Sequence, residues 1–148
     1  MRQIYRLRTK HKPRLLFAMM HALASDDAVI CFEGWLALTD LAKIEGVRLN
    51  ETDVLRRQTL EPRMDFLVLP LTQASLPAIE KAVNSKIAFS GCAGIVHVQI
   101  ESHGQIAFAA YDEFTPDCAI AYPAVSVSLL DELVQKHILY SYSIGQLT

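Results

Sequence analysis

An α+β fold in a single domain, with a mostly antiparallel mixed sheet and helices packed on one side, is predicted by three observations. Apolar residues recur in period two in some segments and at spacings of three and four in others; the segments do not alternate strictly as strand and helix; and a hairpin near residue 100 is the clearest local unit. The chain has 148 residues, 51% hydrophobic and 20% charged, which suits one domain able to bury a core without metal or disulfides. No repeat, low-complexity tract or linker divides it.

Gln3 to Arg8 alternates with Tyr5 and Leu7 on one side and Arg6 and Arg8 on the other, an edge-strand pattern. Pro13 suits a first helical turn, and Leu15, Leu16, Met19, Met20 and Leu23 follow at helical spacing, so a helix is expected from Pro13 to Ala24, closed by Ser25-Asp26-Asp27. Val29 to Phe32 reads as a central strand buried on both faces. Asn50 before Glu51 and Asp53 predicts a short helix from Glu51 to Arg57. Phe66 to Leu69 is a second buried strand, which Pro70 must stop or leave at an edge. Thr72 or Ser75 caps a helix with Leu76, Ile79 and Val83 facing inward.

Ile95 to Glu101 and Gln105 to Tyr111 form the hairpin, with Ser102-His103-Gly104 as a three-residue loop that closes on a left-handed glycine. In that register Gln105 opposes Glu101, which puts Val96, Val98, Ile100, Ile106, Phe108 and Ala110 on one apolar face. The other face, with His97 across from Ala109, would open a shallow groove. A helix starting at Ser126 or Ser128, with Asp131 and Glu132 in its first turn, and a strand from Leu139 to Ile144 complete the chain.

The net charge of −2 conceals a gradient: residues 1–25 hold six bases and no acid, whereas residues 87–148 hold six acids and one base, Lys136. Arg2, Arg6, Arg8, Lys10, Lys12 and Arg14 are the densest charge feature, and Arg2, Arg6 and Arg8 on one strand face could meet phosphates, but no nucleic-acid-binding pattern accompanies them, and charges on an edge strand also block strand addition. Nucleic acid is therefore disfavoured as a partner. The longest charge-free stretches, Phe66 to Ile79 and Ile87 to Ile100, have 14 residues each and are broken by proline or glycine, short of the about 20 needed to cross a bilayer. Met1 to Arg14 lacks the apolar core of a secretory signal, and three dispersed cysteines, Cys31, Cys92 and Cys118, suit reduced thiols, so a cytoplasmic address is expected.

No zinc spacing, phosphate-binding glycine loop or GxSxG elbow is present, and neither metal nor cofactor is expected. Cys92 lies between glycines, as a nucleophile near backbone amides would, although cysteine is also a common buried residue. The segment leaving the hairpin gathers Tyr111, Asp112, Glu113, Phe114 and Asp117, aromatics ringed by acids that suit a basic protein partner. The expected function is thus noncatalytic binding of a protein, as an inhibitor of the immunity or antitoxin kind or as an accessory subunit, with self-association also open. The alternative is a small enzyme or ligand-binding domain using His97, Asp112 and Cys118, a histidine near a carboxylate and a thiol.

Overall fold

The computed structural model describes residues 2–83 and 94–147. Seven strands, β1 (Arg2–Thr9), β2 (Val29–Gly34), β3 (Asp65–Pro70), β4 (Ile95–Ser102), β5 (Gln105–Ala110), β6 (Ala119–Ala121) and β7 (Leu139–Leu147), form one sheet in the order β3-β2-β4-β5-β6-β1-β7. Every pairing is antiparallel. Three helices, α1 (Lys12–Leu23), α2 (Leu76–Val83) and α3 (Val127–Gln135), complete the mixed α and β architecture. None of these is long and apolar enough to cross a membrane.

Alternation assigns the side chains of each strand to two environments. Leu7, Ile30, Phe32, Leu67, Leu69, Val98, Ile100, Phe108 and Ala110 join one large apolar cluster, which also receives Leu15, Leu16, Met19 and Met20 of α1, Ile79 and Val83 of α2, and Leu130 and Leu133 of α3. The alternate positions form two smaller clusters, Cys31 with Leu55, Phe66 and Val68 at one end and Ile4 with Ala109, Ile120 and Tyr122 at the other. Local signals agree with the helices: the ring nitrogen of His11 accepts from the Arg14 N–H to cap α1, and Ser126 caps α3 through the Leu129 N–H. Because α3 starts at Val127, Asp131 and Glu132 fall beyond its first turn.

The structure departs from the sequence reading at four points. The first strand is not at an edge, because β6 and β7 flank it; local alternation carries no information on strand order. Residues 51–57 form no helix, since the Thr52 hydroxyl accepts from the N–H groups of Val54 and Leu55 and the segment is drawn across the sheet. The three-residue β6 was too short to register as a periodic pattern.

The fourth correction concerns the hairpin. Gln105 opposes Ser102, so the loop has two residues, His103 and Gly104, both left-handed at φ 52° and 76°. That is the geometry of a type I′ turn, whose twist matches the strands. Glu101 then faces Ile106 while Ile100 faces Phe108, and the extra residue, Ala107, makes a bulge. Consequently Ile106 packs with the Ile4 cluster, opposite Val98, rather than beside it. Cys92 and its flanking glycine Gly91 lie outside the described residues.

A Cβ on Gly104 would meet nothing within 4 Å, so a side chain there costs only conformational energy. Gly104→Val should lower unfolding free energy by about 1 kcal/mol or more, read from the urea midpoint, and Gly104→Asn should cost less. Equal stability of wild type and Gly104→Val would contradict the turn assignment.

Candidate functional site

Between the two small clusters the sheet carries polar residues that are nevertheless buried: Glu33 at 0% exposure, His97 at 3% and Gln99 at 2%. Glu33 and His97 are register partners on β2 and β4, and Cys31 opposes Gln99. A buried polar atom without a partner is costly, so each must find one nearby. The partners come from residues 52–59. The Thr52 hydroxyl donates to Glu101 at 3.2 Å, Gln99 Nε2 donates to the Arg56 carbonyl at 2.7 Å, and Thr59 Oγ1 lies 2.8 Å from His97 Nε2. The Glu33 carboxylate accepts from the N–H groups of Gln58 at 2.8 Å and Thr59 at 3.1 Å. This seam occupies the expected shallow groove, and the groove is not open to a ligand at His97.

The far side of the histidine sets the next element. His97 Nδ1 accepts from the Asp112 N–H at 3.1 Å, so in the neutral ring Nε2 carries the proton and Thr59 Oγ1 accepts it. The Asp112 N–H opens a short left-handed turn in which Asp112, Glu113 and Phe114 have φ of 52°, 60° and 63°. Left-handed L-residues cost roughly 1–2 kcal/mol each, and three in succession require compensation. It comes from the His97 bond, from Phe114, which is 2% exposed and packs 6.5 Å from the Phe108 ring, and from main-chain bonds Tyr111 N–H to Cys118 O (2.9 Å) and Cys118 N–H to Thr115 O (2.9 Å). The Asp117 N–H donates to the Leu7 carbonyl at 3.3 Å, tying the turn to β1.

The structure therefore brings most of the expected partner-binding residues into one turn, but not in one role. Asp112 and Asp117 are exposed and Glu113 is half-buried, whereas Phe114 is a core residue that secures the turn and cannot serve as an exposed anchor. Tyr111 is half-buried, edge-on to His97 with centroids 5.8 Å apart, and shares a side-chain hydrogen bond with Tyr122. Burial pushes both phenols above their ordinary value, with Arg2 and Arg6 opposing the shift at Tyr122, where the Arg2 guanidinium lies 4.9 Å from the ring centroid. Arg8 and Asp117 approach to 4.0 Å, both more than half exposed, a contact of little energetic weight.

Of the alternative set, His97 and Asp112 meet through the Asp112 backbone, while Cys118 enters through its carbonyl. No hydrogen bond joins the Cys118 thiol to His97 among the described residues, and no group of three or more metal-ligating side chains occurs among them. Sequence reading missed Glu33, Thr59 and Gln99; the available signal was a carboxylate inside the otherwise apolar run Val29 to Phe32 and Gly34, which demands buried donors. Clefts lie elsewhere, among them one of about 490 Å³ lined by Leu36, Leu49, Arg57, Arg63 and Phe66 and another of about 840 Å³ between Ile44 and Ala78.

Glu33→Gln replaces one acceptor oxygen with a donor facing an N–H and should lower stability by about 1–3 kcal/mol in urea unfolding, with the transition still cooperative. Burial pushes the Cys31 thiol far above its ordinary value, whereas Cys118 is half-buried. In a Cys92→Ser chain, a disulfide reagent should therefore modify Cys118 under native conditions and Cys31 only at the rate of unfolding. Modification of Cys31 ahead of Cys118 would contradict the seam's closure.

No family model, curated protein or solved structure matches this chain.

Proposed function

We propose that the protein is a noncatalytic binding module that recognises a basic protein through the acidic turn of residues 112–117, acting as an inhibitor or accessory subunit. The observation that supports this reading is the left-handed turn itself. Its strain is held by His97 and Phe114, and it displays the carboxylates of Asp112 and Glu113, for which no cation lies within salt-bridge distance among the described residues. Turns held at an energetic cost are concentrated at functional sites. We further read α1, α2 and α3 as packing on one face of the sheet, through the large cluster, with the seam of residues 52–59 in the other environment and the turn between them, anchored in the large cluster by Phe114. The engagement of both His97 nitrogens argues against the enzyme alternative, because a general base needs a free lone pair within reach of substrate.

The test uses the amide variant Asp112→Asn, Glu113→Gln, Asp117→Asn, which keeps shape and removes charge. Expected is a basic protein co-purifying with the wild-type chain from its native host at low ionic strength, and association slowed about 10-fold or more in the variant with stability unchanged. Should the variant instead lose stability and bind the same protein at the same rate, the acids serve only the fold and the reading fails. A turnover reaction abolished by His97→Ala would establish the enzyme alternative.

A further inference from the structure

The β3 edge of the sheet is covered at Val68 and bare at Phe66. Arg48 and Val68 exchange both main-chain hydrogen bonds at 2.8 Å, so Val68 directs its N–H and C=O away from β2. Alternation gives Phe66, two residues earlier and opposite Glu33, the same outward direction. Continuing the Arg48 pairing would set Asn50 against Phe66, but the bridge is confined to Arg48 and Val68. No hydrogen bond reaches the outward N–H or C=O of Phe66 among the described residues, although the residue as a whole is buried. On the other side of this gap the Arg57 guanidinium donates to the Met64 carbonyl and lies 5.2 Å from the Phe66 ring centroid.

The cleft of about 490 Å³ opens at this gap. Leu36, Leu49, Phe66 and Leu67 give it apolar walls, and its charged members are Arg57, Arg63 and Asp65. The Asp65 carboxylate accepts from the Leu36 N–H at 3.0 Å and, by alternation, lies on the opposite face of β3 from Phe66. Neither guanidinium has a carboxylate within 4.0 Å among the described residues. Arg57 is also held in place by its carbonyl bond and its ring contact, so its remaining donors are pre-organised. Each feature selects one group of a ligand: the cations a carboxylate, the unpaired Phe66 main chain an extended amide, and the walls an apolar side chain.

We propose that this cleft binds the C-terminal residue of an extended peptide, one with a free α-carboxylate and an apolar last side chain. Strand direction decides which end enters. A ligand residue that exchanges both hydrogen bonds with Phe66 in the antiparallel sense gives its N–H to the Phe66 C=O and receives the Phe66 N–H on its carboxylate. Its chain then ends toward Met64, where Arg57 supplies the carboxylate with a second, charged donor. In the parallel sense the carboxylate would point at the Arg48 bridge, away from Arg57. Opposed residues share a face, so the last side chain lies beside the Phe66 ring. Because Arg48 already occupies Val68, the preceding ligand residues must leave the edge, which confines recognition to the terminus. An acylated N–H is favoured over the ammonium of a free amino acid, which would set a third cation beside Arg57 and Arg63. The site uses no residue of the acidic turn.

Titration calorimetry on the full chain with the peptide acetyl-Ala-Ala-Leu, its C-terminal amide and free leucine tests this. The carboxylate peptide should bind, with the amide weaker by about 10-fold or more for want of the charged hydrogen bonds, and leucine weaker than the peptide. Nitrogen–proton correlation spectra should show the Phe66 amide resonance shifting along with the calorimetric titration. Arg57→Gln should raise the dissociation constant about 10-fold or more. Arg63→Gln, at an exposed side chain without the Met64 bond, should raise it less and serves if Arg57→Gln does not fold; circular dichroism checks both. No binding of the carboxylate peptide up to about 5 mM, where even a millimolar site fills, overturns the proposal, as does equal binding of the amide. Leucine binding as tightly as the peptide overturns the peptide terminus as the ligand.

Discussion

The arrangement of the sheet's polar side depends on a single requirement, that the carboxylate of Glu33 be hydrogen-bonded although it has no exposed surface. Burying such a charged group without donors is among the costliest things a fold can do. The donors are the main-chain N–H groups of Gln58 and Thr59, and supplying them fixes where the preceding connection crosses β4. Once Thr59 is placed, its hydroxyl reaches His97, and His97 in turn holds the Asp112 N–H. A buried acid on β2 is thereby linked through three hydrogen bonds to an exposed acidic turn at the end of β5.

This linkage separates two meanings of charge in the molecule. The basic first segment and the acidic last segment are not paired off as blocks. Arg2 lies over Tyr122, Arg8 reaches Asp117 only loosely, and Lys10 sits 4.8 Å from the Tyr140 ring centroid. Two of the six cations in the first segment, Arg2 and Lys10, thus sit on aromatic faces, where a ring quadrupole rather than a carboxylate attracts them. The acids of the turn retain their field toward solvent, which is the condition for long-range steering of a partner.

Periodicity made the helices, β2, β3 and both hairpin strands legible, because burial of one stripe or one face imposes a repeat that any single segment must obey. Where tertiary contacts outweigh local preference, the signal failed. Asn50, Glu51 and Asp53 resemble a helix start, yet Glu51 accepts from the Arg57 N–H at 2.7 Å and Thr52 makes a turn, serving the seam over β4. Ser102-His103-Gly104 fits a two- or a three-residue loop, and only His103 in the left-handed region, beside Asp27 at 2.8 Å, separates them. The acidic turn was legible as composition, but the inward direction of Phe114 follows from backbone signs that composition does not encode.

The position of β1 has a consequence for how the protein is made. Its neighbours β6 and β7 both belong to residues 119–147, so β1 can be paired only after the more than one hundred residues between them have been made. Until then Ile4 and Leu7, each without exposed surface in the finished fold, must wait in a chain whose other half is unfinished. Non-local pairing of this kind slows folding and lengthens the exposure of unpaired backbone. The arginines interspersed along β1 put like charges on that unpaired segment, and like charges disfavour pairing between two copies of it.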